Sequence, residues 1–226
     1  MTGQPTGADA PEEATNFLYP FIDSQESDPG PLLADLALSA RTKAAESAAL
    51  RRSTLEDCAA LVDTAATEMA RRFSTGGRLF TFGNGGSSTD SATLAALFAH
   101  PPVGPPLPSW CLTADQAILT ALGNDVGFEL VFARQLMARA TAGDIAIAMS
   151  TSGNSADLTV ALREARHRGM YTIGFAGYDG GAFAASADVD ACFVVKSQSV
   201  HRIQEAQALL GYQLWSSVHE KGVHAS

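Results

Sequence analysis

Twice in this sequence, a short apolar segment leads into a loop of glycine and hydroxyl residues, and the loop then opens a helical pattern. The first unit runs from a strand at Leu79–Phe82 to a helix at about Ser87–Ala99. The second runs from a strand at Ile145–Met149 to a helix at Ser155–Arg168. Strands separated by helices form parallel βαβ units, and nearly continuous apolar strands indicate that helices cover both faces of the sheet. We therefore expect a three-layer, doubly wound α/β domain.

The rest of the chain supplies the other strands and helices. Further strands are predicted at Ser109–Leu112, Tyr171–Ala176 and Val189–Val195. The further helices are predicted at Pro31–Arg51, from Ser53 onward, at Ala114–Leu122, at Phe128–Ala140 and at Val200–Glu220. A new helix is expected to begin at Ser53 because Ser53 and Glu56 form a capping-box pattern.

The first 30 residues differ in composition from the rest of the chain. Residues 1–15 are rich in glycine, proline and acidic residues, which is typical of a disordered tail. An aromatic segment at Phe17–Ile22 follows, and it packs either on a neighbouring subunit or partner or on its own domain. We predict an arm at residues 1–30 and a single domain with N-terminal helices at residues 31–226.

The charge and the cysteines limit the class of protein. A net charge of −9 and an isoelectric point of about 4.9 argue against a nucleic-acid binder and against adhesion to an anionic membrane. The N-terminus lacks a signal-peptide pattern, and no apolar stretch approaches the roughly 20 residues of a membrane span. Cys58, Cys111 and Cys192 are widely spaced, which is typical of free thiols in a reducing compartment. We expect a cytoplasmic protein.

The first glycine loop, Phe82–Thr89, favours an anion near a helix N-terminus. Its three glycines allow the backbone to approach a ligand closely, and hydroxyl residues begin the helix that follows. The loop is not the dinucleotide fingerprint, because position 88 is serine where the third glycine would stand. Packing between strand and helix is the alternative explanation of this loop.

The second loop, Ser150–Ser155, favours a phosphate more strongly. Hydroxyl groups of Ser150, Thr151, Ser152 and Ser155 can donate to phosphate oxygens beside the free N–H groups of the helix. No lysine follows the loop, so it is not a nucleotide-binding P-loop. Helix capping by Ser155 is the alternative, but it explains only one of the four hydroxyl residues. We predict a phosphomonoester site without a metal clamp.

Five motifs follow one another along the chain: Gly83–Ser87, Gly123–Asp125, Ser150–Ser155, Gly177–Gly181 and Arg202–Glu205. Together they resemble the sugar isomerase (SIS) family, and its phosphoheptose isomerase branch in particular. The resemblance implies a five-stranded parallel sheet, a homotetramer and sites between subunits. It implies substrate contacts at Asn84, Gly85, Gly86, Ser87, Asn124, Asp125, Ser150, Thr151, Ser152, Ser155 and Gln204.

The chain departs from that family where the chemistry would take place. The family moves a proton between adjacent carbons with a glutamate and a histidine, which bind a metal together with a second histidine and a glutamine. Aligned on the motifs, Thr93 and Tyr212 replace the two histidines, and Leu97 replaces the glutamate. Only Gln204 remains, and it cannot by itself form a zinc site. We therefore expect no metal and no cofactor.

Three hypotheses follow for the function. In the first, the protein binds a phosphorylated sugar and lacks the zinc-dependent isomerase site. In the second, it is an aldose–ketose isomerase whose acid–base pair has moved, with Glu205, His201 and Asp125 as candidates, followed by Asp90 and His100. In the third, it is a regulatory protein-interaction module that uses the aromatic arm. The expected partners are a phosphorylated sugar and further copies of the same chain, with no membrane or nucleic acid.

Overall fold

The structure, a computed structural model, describes residues 30–222. The elements in chain order are α1 (Gly30–Ser74), β1 (Leu79–Gly83), α2 (Gly86–Ala99), β2 (Ser109–Cys111), α3 (Gln116–Asp125), a 3-10 helix (Phe128–Leu130), α4 (Val131–Arg139), β3 (Ile145–Met149), α5 (Ala156–His167), β4 (Tyr171–Gly177), α6 (Gly181–Ala185), β5 (Ala191–Val195) and α7 (Val200–Glu220). The predicted bounds of β3 and α7 are confirmed. Apart from Gly30, the predicted arm lies outside the described residues.

A single helix of 45 residues, α1, replaces the two helices predicted before the sheet. The Ser53 hydroxyl donates to the carbonyl of Leu50 at 3.1 Å, so it bonds back along a continuous helix and does not cap a new one. No glycine or proline lies between Pro31 and Gly76 to interrupt the helix. The chain divides into two units at Ala45–Glu46, and every strand lies in the second unit.

The sheet confirms the predicted fold class. Its five strands are all parallel and stand in the order β2-β1-β3-β4-β5. From β1 the chain moves outward to β2, whereas from β3 it moves in the opposite direction to β4 and β5. The order therefore reverses between β1 and β3, where Gly83 is in register with Met149. Open α/β sheets bind ligands outside the carboxyl ends of the strands at this switch point.

Helices cover both faces of the sheet and complete the three layers. On one face, buried side chains of α1, α2 and α7 pack against Ile147, Phe175 and Phe193. On the other, α4 and α5 pack against Phe80 and Phe82. Within residues 30–222, no helix combines the length and the apolar character needed to span a bilayer.

Candidate functional site

The two loops identified in the sequence leave neighbouring strands at the switch point. The first follows β1 and leads into α2, and the second follows β3 and leads into α5. Because β1 and β3 are paired and parallel, both loops lie at the same edge of the sheet. The fold therefore brings together the two segments that carry the predicted ligand contacts.

Hydrogen bonds hold the second loop in a fixed shape. The Ser150 hydroxyl, which is buried, accepts from the backbone N–H of Ser152 at 3.3 Å and of Gly153 at 3.0 Å. The Ser150 carbonyl accepts from Nε2 of Gln207 on α7 at 2.7 Å. Gly153 has a φ of +67°, and a Cβ there would lie 2.3 Å from the carbonyl oxygen of Gly180, so only glycine fits. The loop is thus preorganised before any ligand arrives.

The remaining hydroxyl groups of this loop are only partly buried, and those of Thr151 and Ser155 have no hydrogen-bond partner among the described residues. Ser155 is the N-cap residue of α5, yet its side chain makes no capping hydrogen bond. The alternative interpretation of Ser155 as an ordinary cap is therefore wrong. The Ser152 hydroxyl accepts from the N–H of Asn154 at 3.3 Å, which leaves its own proton available for donation. A helix N-terminus with uncommitted hydroxyl groups is suited to an anion.

A side-chain contact links the two loops. Nδ2 of Asn84, in the first loop, donates to both carboxylate oxygens of Asp157 at 2.8 and 3.0 Å. Asp157 is only 5% exposed and lies in the first turn of α5. Sequence reasoning did not single out Asp157, although an acidic residue directly after a serine-rich loop is a signal for helix-end stabilisation. The contact fixes the position of Asn84 relative to the serine loop.

The side chain of Gln204 on α7 packs against the first loop. A Cβ at Gly86 would lie 2.4 Å from Nε2 of Gln204, so a larger residue there would displace the end of the Gln204 side chain. The same Nε2 donates to the Asp90 carboxylate at 3.1 Å. Burial raises the pKa of Asp90, and the hydrogen bond from Gln204 offsets part of that rise. Of the other two residues predicted in this loop, Gly85 is exposed and Ser87 is buried.

Two of the candidate acid–base groups lie with Asp90 on one open cleft of about 460 Å³. These are His201 and Glu205, and the cleft also includes Gly86 and Gln204. The Glu205 carboxylate accepts a hydrogen bond from the Ser47 hydroxyl of α1, so it also ties two helices together.

Asn124 and Asp125 do not line this cleft. They stand at the end of α3 with exposed side chains, and Asn124 donates to Asp125 at 2.8 Å. In the described part of the chain, neither side chain bonds to the serine loop. His100, at the end of α2, is exposed and does not line the cleft.

The three positions at which the sequence analysis predicts substitutions lie around one small pocket. Thr93 and Leu97 of α2 and Tyr212 of α7 line a cavity of about 70 Å³, which we call the α2–α7 pocket. Asp90 and Gln207 also line it. Thr93 already donates its hydroxyl proton to the Thr89 carbonyl at 2.9 Å, and Leu97 offers no ligand atom.

These residues do not fit a zinc ion. Zinc sites in proteins use several nitrogen, thiolate or carboxylate ligands, whereas the substituted positions supply two hydroxyl groups and a hydrocarbon. Within residues 30–222, no three histidine, cysteine, aspartate or glutamate side chains are grouped so that they could hold a metal ion.

The chain as a whole is similar to known proteins of one domain family. A profile described as the SIS domain matches residues 44–177. A phosphoheptose isomerase of Solidesulfovibrio magneticus is 43% identical over 171 residues, which are 75% of this chain and 82% of that protein. The phosphoheptose isomerase of Aquifex aeolicus is 40% identical over 177 residues, covering 77% and 92% of the two chains. The solved phosphoheptose isomerase of Neisseria gonorrhoeae superposes with a TM-score of 0.76 at 32% identity, over 82% of this chain and 99% of that one.

Proposed function

The chain belongs to the SIS domain family, and we propose that it binds a sugar phosphate at the carboxyl edge of β1 and β3 without metal-dependent isomerisation. The relatives at 40–43% identity are named phosphoheptose isomerases, which favours a heptose or related sugar phosphate as the ligand. The observation that carries the proposal is the free Ser155 hydroxyl at the N-terminus of α5, beside a loop that hydrogen bonds have already shaped.

The phosphate is held by local dipoles, despite the overall charge of −9. The N-terminus of a helix such as α5 carries roughly half a positive charge, and its first N–H groups have no partner within the helix. Hydroxyl groups of Thr151, Ser152 and Ser155 donate alongside them. The Asp157 carboxylate lies in the same turn. Both of its oxygens already accept hydrogen bonds from Asn84 in the first loop. Asn84 and Gln204 then approach the sugar from the opposite loop and from α7.

The residues of the α2–α7 pocket support the proposed lack of metal-dependent turnover. The family uses a glutamate and a histidine here as acid and base, and both also hold the metal. Leu97 can neither accept a proton nor bind a metal. Tyr212 carries a phenol and has no imidazole nitrogen to serve as base or metal ligand. We therefore propose a protein that acts by binding.

A second candidate function rests on Asp90. This carboxyl has a raised pKa and lies where the α2–α7 pocket meets the wide cleft, beside Gln204. A carboxyl with a raised pKa in a cleft is a candidate general base. Under this hypothesis the chain isomerises its sugar phosphate with Asp90 as base and with His201 or Glu205 as the partner group.

We further propose that the chain forms a homotetramer with sites between subunits, as its resemblance to the phosphoheptose isomerase branch implies. Analytical ultracentrifugation tests this directly. A single species of four times the chain mass is expected, and a monomer at micromolar concentration would contradict the proposal.

Exchange of solvent deuterium separates the two candidate functions. We expect sedoheptulose 7-phosphate to bind in titration calorimetry and to gain no deuterium at the carbon beside its carbonyl, with or without added zinc, because Leu97 and Tyr212 stand where the resemblance places the family's acid and base. NMR in heavy water measures the exchange, and the Aquifex aeolicus enzyme serves as the positive control. Exchange that disappears in an Asp90→Asn variant would establish the second candidate and contradict the first.

A further inference from the structure

Most of the wall of the α2–α7 pocket is apolar. Leu94 and Met149 are buried beneath it, and Leu97 is half-buried at its side. Burying a hydroxyl against such a wall without a hydrogen bond is unfavourable, because the group loses its water partners. A C–H or methyl surface loses nothing there. The cavity of about 70 Å³ has room for a fragment of a few atoms, given that one water needs about 10–15 Å³ by this measure.

One buried polar atom of a residue that lines this pocket has no hydrogen-bond partner among the described residues. Gln207 is fully buried and lines the pocket, and its Nε2 is committed to the Ser150 carbonyl at 2.7 Å. That bond fixes the orientation of the amide, because a flipped amide would place two oxygens together. Oε1 of Gln207 then has no hydrogen-bond partner. Buried acceptors of this kind are uncommon and require an explanation, and a donor on a bound ligand provides one.

The pocket adjoins the proposed sugar-phosphate site through shared and neighbouring residues. Met149 is the last residue of β3 and directly precedes the serine loop, and Gln207 is bonded to the first residue of that loop. Asp90 lines both the pocket and the wide cleft that contains Gly86 and Gln204. A ligand whose phosphate sits at the serine loop therefore has a route for its sugar carbons into the pocket.

We infer that the α2–α7 pocket is a specificity subsite for a deoxy-sugar phosphate. A carbon without a hydroxyl packs against Leu94, Leu97 and Met149, and a neighbouring hydroxyl donates to Oε1 of Gln207. This inference rests on the proposed function and narrows its ligand class. It gives the substitution at Leu97 a role in recognition in addition to the loss of a base.

Matched sugar phosphates that differ by one hydroxyl test the inference. The full chain is titrated with glucose 6-phosphate and with sedoheptulose 7-phosphate. The affinity for each is compared with the affinity for its analogues that lack one hydroxyl group. We expect one deoxygenated position at which the affinity rises about tenfold or more, the effect of removing one unsatisfied buried hydroxyl. A Leu97→Thr variant supplies a polar wall and is expected to reduce that preference to about twofold. Leu55→Thr, the same change at a half-buried position of α1, is the control and should retain the preference.

The possible outcomes separate this inference from the proposed function. Binding of sugar phosphates with no gain at any deoxygenated position overturns the inference and leaves the proposed function standing. A preference that survives Leu97→Thr also overturns it, because the discrimination then arises elsewhere. Failure of every sugar phosphate to bind overturns both. A preference lost in Leu97→Thr and retained in Leu55→Thr supports the subsite.

Discussion

Replacing Asp144 by alanine is expected to lower the free energy of unfolding by about 3–5 kcal/mol, because several hydrogen bonds to a buried carboxylate are lost and bonds to charged groups contribute about 1.5–3 kcal/mol each. Asp144 is 1% exposed and directly precedes β3. Its carboxylate accepts from the backbone N–H and the guanidinium of Arg78, with the shortest of these contacts 2.7 Å, and from the N–H and hydroxyl of Thr141 at 2.8 and 3.1 Å. Loss of this one side chain breaks the connection between the start of β1 and the start of β3.

Urea denaturation at neutral pH measures this loss. Asp57→Ala is a matched control, since Asp57 contacts Lys196 in an exposed pair at 3.3 Å and such pairs contribute about 1 kcal/mol or less. A loss of less than about 1 kcal/mol in Asp144→Ala would contradict the assigned role.

The contribution of Asp144 should also depend on pH in a defined direction. Burial acts to raise the pKa of Asp144, but the hydrogen bonds from Arg78 and Thr141 outweigh it and lower the pKa below its ordinary value of 3.8. The stabilisation is therefore complete above pH 3.8 and is lost as the pH falls through the lowered pKa of the folded state. The difference in stability between wild type and Asp144→Ala should accordingly shrink only in acid.

A double substitution of Ser152→Ala and Ser155→Ala is expected to weaken sugar-phosphate binding by about 2–4 kcal/mol, if each lost charge-assisted bond contributes about 1.5–3 and water compensates in part. This corresponds to a rise in Kd of roughly 30- to 700-fold. Both side chains are partly exposed at the entrance to α5, so the fold should tolerate their removal. The loop itself is shaped by Ser150, which the double variant retains.

Titration calorimetry measures the loss, with thermal unfolding as a check that the fold is intact. Ser216→Ala removes a half-buried hydroxyl that only contacts Glu220 on α7, and it should leave the affinity unchanged. Equal affinity in the double variant and the wild type would refute the assignment of the phosphate to this loop.

The sequence predicted the sheet well because its signals are local and repeated. Each strand is a short apolar run bounded by loop residues, and β3 and α7 begin and end where predicted. The N-terminal helices were harder to predict. A capping box is also a local signal, but helix propensity and packing in the core easily override it. Around Ser53 the chain is rich in alanine and leucine, and Cys58, Val62 and Met69 lie in the core, which favours one continuous helix.

The site could be predicted only in part, because its most informative contacts join residues far apart in sequence. Spacing alone places Thr93 and Leu97 on one face of α2, but only the fold brings Tyr212 beside them. The bond from Asn84 to Asp157 spans 73 residues, and that from Gln207 to Ser150 spans 57. A buried glutamine on a helix also has no distinctive pattern in sequence, so the free Oε1 of Gln207 could not be foreseen.

The central claim is that the serine-rich loop holds the phosphate of a sugar phosphate. A crystal structure of the full chain soaked with sedoheptulose 7-phosphate tests it most directly. We expect the phosphate between Ser150–Ser155 and the N-terminus of α5, with the Ser155 hydroxyl within hydrogen-bond distance of a phosphate oxygen and the sugar directed toward Leu97 and Tyr212. A phosphate bound elsewhere, or a serine loop that stays empty at saturating ligand, would contradict the claim.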